Sequence, residues 1–540
     1  MLRGDPNKMT SGFRVFLVWG IVTSSALFLF AHLRTTPRSP DEQAYLAWSV
    51  AVARDGKMAE PDGEAVKKHV PPLHCLLVGF AFKTVGVEVE VAQAVSVLGG
   101  ALCVGVCFLL GYLILGLKGG LLTALLMMTS GKGEVWEYSN RVLNDIHLTM
   151  WVSCVLLCAV AYVKRGGLWT ALASGLFFGL GFLTKESVVL TLPMLCAAFL
   201  MGREPRKTRL LHFSIAVAVA GCLMAPLLMH RYKALSSRGQ GVAPRGGLRA
   251  GNLTALMDSK MWGFRGVKEL GDNLLLRGMP SGALRVIYGF SLLACLVLLA
   301  RKTAPREVSL PLILILVWIG VFQTLVHLPL TRRQLLPLFP AYNLVAAFVI
   351  CRSLDLLKSR FLGENAGPKA LTVAGSVAML GIAFLNMPPK AWPQVTLGKL
   401  FKSPGPGFLE KETTRALACT SDAALLASNF HRALYFLVKG QVPVLHLQIP
   451  TDKESREALD PGRARRLVES KSMGKALGKE EDHFSVPERF RSTSPVYGVI
   501  FCPGQSTCQF RVPPHAGGWK PVCGGEGFSV FSLASEAHAE

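Results

Sequence analysis

The chain has 540 residues, of which 51% are hydrophobic and 17% charged, and its mean hydropathy is positive, too apolar for a soluble protein of this length. Its formal net charge of +23 would suit nucleic acid, but the excess Lys and Arg fall largely between apolar stretches, where positive-inside topology already accounts for them. Composition therefore argues against a soluble enzyme and a nucleic-acid binder, and points to a polytopic membrane protein.

Taken in chain order, the first apolar run is 13–33. It is long for a cleaved signal peptide and no small-residue cleavage pattern follows it, so an uncleaved signal anchor is expected. A polar, proline-flanked segment, 34–73, comes next and opens with Ser39-Pro40-Asp41-Glu42-Gln43-Ala44-Tyr45. Adjacent carboxylates at the foot of a membrane helix are costly to place and call for a reason. One reason is local: Ser39 or Asp41 could cap a surface helix running through Trp48. The other is chemical: a partly desolvated carboxylate could take a proton from an attacking hydroxyl or amine.

The stretch 73–86 is apolar but short, contains Lys83 and follows Pro71-Pro72, so a juxtamembrane or re-entrant helix is expected. A spanning helix needs about twenty mostly apolar residues. Candidates after the first are 91–116, 119–137, 145–163, 167–183, 187–202, 210–229, 282–300, 308–328, 334–351 and 370–387. Starting from an inside N-terminus, alternate loops carry Lys118, Lys164-Arg165, Arg203 to Arg209, Arg301 with Lys302 and Arg306, and Arg352 to Lys369. Each is net basic, as inner loops should be. The opposite, outer face then receives Asp41-Glu42, the region from Glu134 to Asp145, Lys185-Glu186, the loop 230–281, Arg332-Arg333 and the whole tail. Polar residues without a topological reason thus converge on one membrane surface, as they would at a site built there.

After Pro388-Pro389 the composition turns mixed and polar. Runs 424–428, 442–447, 496–502 and 528–533 read as strands and 431–439 as a helix, giving a small C-terminal α/β extramembrane domain over 389–540. The charged, weakly apolar stretch 451–492 reads as a loop. Of thirteen cysteines, nine are scattered through the apolar region, as small buried hydrophobes would be. The other four, Cys419, Cys502, Cys508 and Cys523, could form one or two disulfides on an oxidising face; no CxxC spacing suggests zinc.

Further candidates lie among the spans. Arg141 and Asp145 in Tyr138-Ser139-Asn140-Arg141-Val142-Leu143-Asn144-Asp145 are four apart, which suits either a plain helical ion pair or a carboxylate that positions a cation or an acceptor. Lys185 follows Gly175-x-x-x-Gly179-x-Gly181, whose glycines suit close helix packing. Its ammonium could meet a phosphate or simply reach the interface. Arg332-Arg333 offers guanidiniums suited to phosphate oxygens, or an interfacial anchor. His69, just before Val70-Pro71-Pro72-Leu73, could be a ligand or base, although a lone histidine is more often neither.

The order of these elements resembles the GT-C superfamily of integral-membrane glycosyltransferases, in particular the lipid A aminoarabinose transferases and the protein O-mannosyltransferases. The resembling motifs are Asp41-Glu42-x-x-Tyr45, Pro71-Pro72-Leu73, Arg141-x-x-x-Asp145, Gly179-Leu180-Gly181-Phe182-Leu183-Thr184-Lys185 and Arg333-Gln334-Leu335-Leu336-Pro337-x-x-Pro340. They span roughly the first 345 residues; the tail matches only in being an outer-side domain. The apolar runs give about eleven spans over 1–388, which would be the transferase domain, and the resemblance implies an inverting transfer of a sugar from a polyprenyl-phosphate donor at the outer side of a plasma or inner membrane. It would make Asp41 the catalytic carboxylate, Glu42 its acidic neighbour, and Asp145, Arg141 and Tyr45 residues around the acceptor. Lys185, Arg333, Arg332 and His69 would face the donor phosphate. Val70 stands where the family often has lysine and Gln334 where it has tyrosine, so Lys67, Lys68 or His69 would supply the first missing cation. No cofactor is demanded, although Asp41 and Asp145 could share a divalent metal. The rival readings are a transporter or flippase, which would need charges at mid-membrane depth and pseudo-symmetric halves, and an inactive assembly protein.

Overall fold

The computed structural model describes residues 11–30, 40–61, 66, 70–129, 138–236, 285–303, 305–325, 332–361, 418–419, 425–428, 444–446, 496–501, 519–525 and 528–533. The chain divides into two compact units, one of 1–33, 69–74 and 93–402, the other of 34–68, 75–92 and 403–540. The segment carrying Asp41 thus groups with the tail. The composition change near Pro388 lies outside the described residues, as do the candidate span 370–387, the predicted helix 431–439 and the stretch 451–492.

The first unit is helical. Helix α1 (Ser11–Phe30) meets the long α4 (Val89–Thr129) at Gly105, where an added Cβ would lie 2.6 Å from Val22. Helix α4 is two arms joined at Gly116, whose φ of 73° belongs to the left-handed region that glycine tolerates best. The arms fold back on each other. A Cβ on Gly120 would meet Phe108 at 2.9 Å, and one on Gly111 would lie 2.8 Å from the Gly119 carbonyl carbon. The candidate spans 91–116 and 119–137 are therefore a hairpin, of which the second arm is described only to Thr129.

Helices α5 (Asp145–Arg165), α6 (Leu168–Thr184), α7 (Leu192–Met201) and α8 (Arg206–Ser236) follow, then α9 (Arg285–Ala300), α10 (Ser309–Leu325), the short α11 (Arg332–Leu335) and α12 (Phe339–Phe361). Two sequence boundaries shift. The candidate span 187–202 is a 3₁₀ segment, Glu186–Thr191, leading into α7, with Pro193 in the first turn of α7 where its missing N–H costs nothing. Helix α8 runs to Ser236, through Pro226, so the outer loop expected from 230 starts later; residues 237–284 lie outside the described set.

Among the described residues, four helices are long and apolar enough to cross a membrane: Val89–Thr129, Asp145–Arg165, Arg206–Met229 and Arg333–Leu356. The second and fourth have 83% and 78% of their apolar window buried against protein, and the third only 17%. Helices α5 and α12 are therefore central, whereas α8 is peripheral, with Leu210, Leu211 and Val217 exposed as on a lipid-facing helix. The core around α5 and α12 is anchored by fully buried Trp318, Tyr288, Tyr342 and Phe348, with the Tyr288 hydroxyl donating to Asn343 Oδ1 at 2.7 Å. Of the nine unpaired cysteines among the described residues, six are buried, and Cys222 is exposed on the peripheral α8.

In the second unit, α2 (Pro40–Asp55) packs on α3 (Leu73–Val85) where Gly79 leaves room for Val52; a Cβ there would lie 2.7 Å from the Val52 Cβ. The tail contributes a five-stranded sheet in the order β2-β1-β3-β5-β4, from β1 (Leu425–Ser428), β2 (Val444–His446), β3 (Val496–Phe501), β4 (Trp519–Gly525) and β5 (Phe528–Leu533). The first three are parallel, and β5 and β4 add antiparallel. Strand β4 is invisible to propensity because it holds Pro521 and two glycines. It tolerates them by lying at the edge with a register irregularity between Pro521 and Cys523.

Cys419 and Cys523 form a disulfide; Cys502 and Cys508 lie outside the described residues. We predict that Cys419→Ser adds one maleimide-reactive thiol, that of Cys523, to the non-reduced protein. Equal labelling of this variant and the wild type without reductant would contradict the pairing.

Candidate functional site

In the first unit, two cationic side chains from distant parts of the chain meet at one carboxylate. Asp145, the first residue of α5, is fully buried. Its Oδ1 accepts from Lys185 Nζ at 2.7 Å and its Oδ2 from Arg333 Nε. The cations retain 30% and 26% of their side-chain exposure against 0% for the carboxylate, so the negative charge lies behind two partly solvated positive ones.

Local structure explains each placement. Helix α6 ends at Thr184 because Lys185 turns to an extended backbone, φ −165° and ψ 131°, before the 3₁₀ segment begins. The carbonyls of a helix's last turn lack partners, and here Asn144 Nδ2 donates to the Thr184 carbonyl at 3.0 Å. Asn144-Asp145 therefore clasps Thr184-Lys185 twice, once through backbone and once through charge. The Asn144–Thr184 contact was missed from the sequence, where the adjacency of Asn144 to Asp145 and of Thr184 to Lys185 was its only signal. Glycines set the path of α6: a Cβ on Gly181 would lie 2.8 Å from Val188, one on Gly179 2.7 Å from Leu223, and one on Gly175 2.9 Å from Ala216 Cα. The packing role expected of them holds.

Arg333 is carried by α11, which leads through the 3₁₀ turn Leu336–Leu338 into α12. Leu335, Leu336, Leu338 and Phe339 are all at most 1% exposed, and Trp318 Nε1 donates to the Gln334 carbonyl at 3.0 Å. The apolar residues following Arg333 thus fasten its backbone into the core while its side chain stays partly exposed. Gln334 contributes the main-chain acceptor of that anchor.

Arg141 lies in the turn before α5. Its guanidinium carbon is 5.4 Å from the Tyr138 ring centroid, a cation–π distance. Two buried histidines also sit near the start of α5. His147 packs against Gly99, and its ring centroid is 4.9 Å from that of His74. Sequence reasoning singled out neither. His69 lies outside the described residues, and of Arg332 only the backbone is described.

In the second unit, α2 starts at Pro40, which suits the first helical turn. Asp41 and Glu42 both lie inside that turn, so Asp41 is not the helix cap; their charges instead complement the positive end of the helix. The two carboxylates differ sharply, Asp41 being exposed and Glu42 2% exposed. Nor is α2 a surface helix: Tyr45, Leu46, Ala47, Trp48, Ser49, Val50 and Ala51 are all buried. Tyr45 meets Trp48 edge to face at 5.6 Å, and Ser49 Oγ donates to the Tyr45 carbonyl at 2.7 Å.

A metal shared by Asp41 and Asp145 finds little support in these residues. Both Asp145 oxygens already accept from cations, and among the described residues no three His, Cys, Asp or Glu side chains are grouped to hold an ion.

A family model, dolichyl-phosphate-mannose-protein mannosyltransferase, matches residues 69–230. The chain is 28% identical over 211 residues to an undecaprenyl phosphate-alpha-4-amino-4-deoxy-L-arabinose arabinosyl transferase from Pseudomonas savastanoi pv. phaseolicola. That match covers 36% of this chain and 37% of the relative, little more than a third of either length. Among solved structures it resembles ArnT from Cupriavidus metallidurans bound to undecaprenyl phosphate, with a TM-score of 0.56 at 15% identity, covering 98% of this chain and 99% of that one. It also resembles the archaeal oligosaccharyltransferase AglB from Archaeoglobus fulgidus in complex with an inhibitory peptide and a dolichol-phosphate, with a TM-score of 0.53 at 14% identity over 91% of this chain and 70% of that one. At these identities the structural likeness is one of fold, the fold that this chain shares with ArnT and AglB.

Proposed function

We propose that this GT-C-fold chain is an inverting glycosyltransferase that moves a sugar from a polyprenyl-phosphate donor to a lipid, glycan or protein acceptor. The observation that carries the reading is the junction of Lys185, Asp145 and Arg333, which brings two partly exposed cations onto one buried carboxylate from segments 40 and 188 residues away. Such a pair suits an anionic phosphate and is supported by the carriers bound in the two solved relatives. A polyprenyl chain is itself a reason for placing the chemistry in a membrane.

In the proposed step the acceptor oxygen or nitrogen attacks the anomeric carbon and the bond from that carbon to the phosphate oxygen breaks. Its electron pair leaves on the phosphate, and the acceptor proton passes to Asp41. A single displacement inverts the anomeric centre. Asp41, exposed in the first turn of α2, is assigned the base, with Glu42 as its buried acidic neighbour; Lys185 and Arg333 are assigned the departing phosphate. Tyr45 and Arg141 are assigned to the acceptor's surroundings, and His69 and Arg332 to the donor. The finer architecture belongs to the same proposal: about eleven spans, residues 1–388 as the transferase domain, and residues 389–540 as an α/β domain on the outer face of a plasma or inner membrane. The disulfide in the tail supports that side, because disulfides persist on oxidising faces.

Membranes containing the chain are expected to transfer label from a panel of polyprenyl-phosphate sugars. At matched expression Lys185→Ala should lower that rate about a hundredfold, the scale for losing one electrostatic contact to a developing oxyanion. Transport of the intact donor without covalent transfer would favour the flippase reading instead.

A further inference from the structure

We infer that the two loops leading into α6 and α8 form a docking ledge for the headgroup of an anionic phospholipid of the surrounding bilayer, with Arg165, Arg203, Arg206 and Lys207 as its cations. The ledge is remote from the Asp145 cluster. Helix α6 runs 17 residues from Leu168 to Thr184, about 25 Å at the helical rise, and Lys185 lies past its far end. The ledge therefore stands apart from the glycosyltransferase reading.

Glycines bring the two loops together. Gly166 and Gly167 join α5 to α6 with φ of 67° and 99°, a left-handed path that side chains rarely adopt. Bare backbone at Gly166 lets the loop between α7 and α8 lie against it: an added Cβ would be 2.8 Å from Glu204 Cγ. A Cβ on Gly202 would likewise be 2.6 Å from the Tyr162 ring. That ring meets Phe199 at 4.4 Å, and its hydroxyl lies 3.1 Å from His212 Nδ1, so buried contacts fasten both loops from beneath. Arg165 and Arg203 each adjoin one partner of the Gly166–Glu204 contact.

The cations of these loops divide into two sets. Lys164 Nζ donates to the Leu113 carbonyl and Arg209 Nη1 to the Leu200 carbonyl, both engaged with main chain. Arg165, Arg203, Arg206 and Lys207 are exposed. Positive-inside topology asks only that such a loop be basic. It does not ask for apolar surface next to the charges. Here Leu210 and Leu211 lie one helical turn after Arg206 and Lys207 and are exposed, as is Leu200 at the end of α7. Trp169, in the first turn of α6, is 82% exposed, as an indole at the headgroup level of a bilayer would be. From Arg206 onward α8 is the peripheral span, with only 17% of its apolar window buried. Cations at the head of a lipid-facing apolar surface match an amphiphile with an anionic head and acyl chains. A free anion would use only the first half of that surface.

The test counts lipids bound to the full chain in detergent by native mass spectrometry, titrating dioleoylphosphatidylglycerol beside dioleoylphosphatidylcholine. The wild type should prefer the anionic lipid by about tenfold or more. Arg203→Gln/Arg206→Gln should lose about tenfold in affinity for it and keep its affinity for the zwitterionic lipid, each cation at a membrane surface being worth up to about fivefold. Both positions are exposed, so the variant should fold and melt like the wild type. Lys57→Gln/Lys83→Gln removes the same charge from exposed positions of the second unit and should change neither affinity by more than about twofold. Equal wild-type affinity for the two lipids overturns the inference. So does an equal loss in the Lys57/Lys83 variant, which would mark an effect of total charge. Inorganic phosphate that displaces the lipid where sodium chloride of the same ionic strength does not would assign the ledge to a free anion, and overturns it as well.

Discussion

Asp41→Asn is expected to abolish most sugar transfer, by about 10²- to 10⁴-fold in kcat, the range for removing a general base, while leaving carrier binding and thermal stability near wild type. The stability part follows from position: Asp41 is exposed in the first turn of α2, where losing the favourable helix-end charge costs about 0.3–1 kcal/mol. Glu42→Gln should show the reverse pattern. Glu42 is 2% exposed, and loss of a buried charged acceptor costs about 1–3 kcal/mol, so that variant should melt earlier while keeping measurable transfer. The comparison to make is kcat against melting temperature for the two variants in one detergent. Full activity in Asp41→Asn would remove the base assignment, and equal loss of activity in both variants with no change in melting would show that the two carboxylates act as one unit.

The contrast between Asp41 and Glu42 also shows where the sequence stops being informative. Adjacent residues on a helix point about 100° apart, so one of the pair had to be more buried, but the sequence does not say which. Helices, by contrast, were legible, because long apolar runs are a property of composition. The hairpin at Gly116 was partly legible, since two adjacent apolar runs met at a glycine and Lys118. Its tightness depends on Gly111 and Gly120 having no side chain to clash across the turn, a contact between segments.

Asp145, Lys185 and Arg333 were readable as separate charged residues at the ends of apolar runs. That Asp145 joins the two cations was not, since local spacing offered Arg141, four residues away, as the obvious partner. Tertiary packing overrode that spacing by starting α5 at Asp145 itself, so that Arg141 falls in the preceding turn and the carboxylate meets Lys185 at the end of α6. In the tail, alternation located four strands; β4 was missed because an edge strand can carry the proline and glycines that argue against a strand elsewhere.

Gly175→Leu is expected to destabilise the chain by about 3 kcal/mol or more and to weaken carrier binding at a distance. Overpacking a tight contact costs about 1–3 kcal/mol when neighbouring side chains can yield. At Gly175 they cannot: an added Cβ would lie 2.9 Å from Ala216 Cα and closer still to its carbonyl oxygen, so the obstacle is the backbone of α8. Relief requires α6 and α8 to separate, and α6 delivers Lys185 from its C-terminal end. Gly221→Ala is the matched control. Gly221 also sits in an apolar helix, nothing lies within 4 Å of its Cβ position, and alanine there should be neutral or stabilising by up to about 1 kcal/mol. Thermal unfolding of both variants in one detergent, followed by undecaprenyl phosphate binding to the Gly175→Leu protein below its transition, separates the two consequences. Identical melting of the two variants would mean that α6 and α8 do not pack through Gly175. A lowered melting temperature with unchanged binding would mean that the Asn144-Asp145 clasp holds Lys185 in place even when the far end of α6 is displaced.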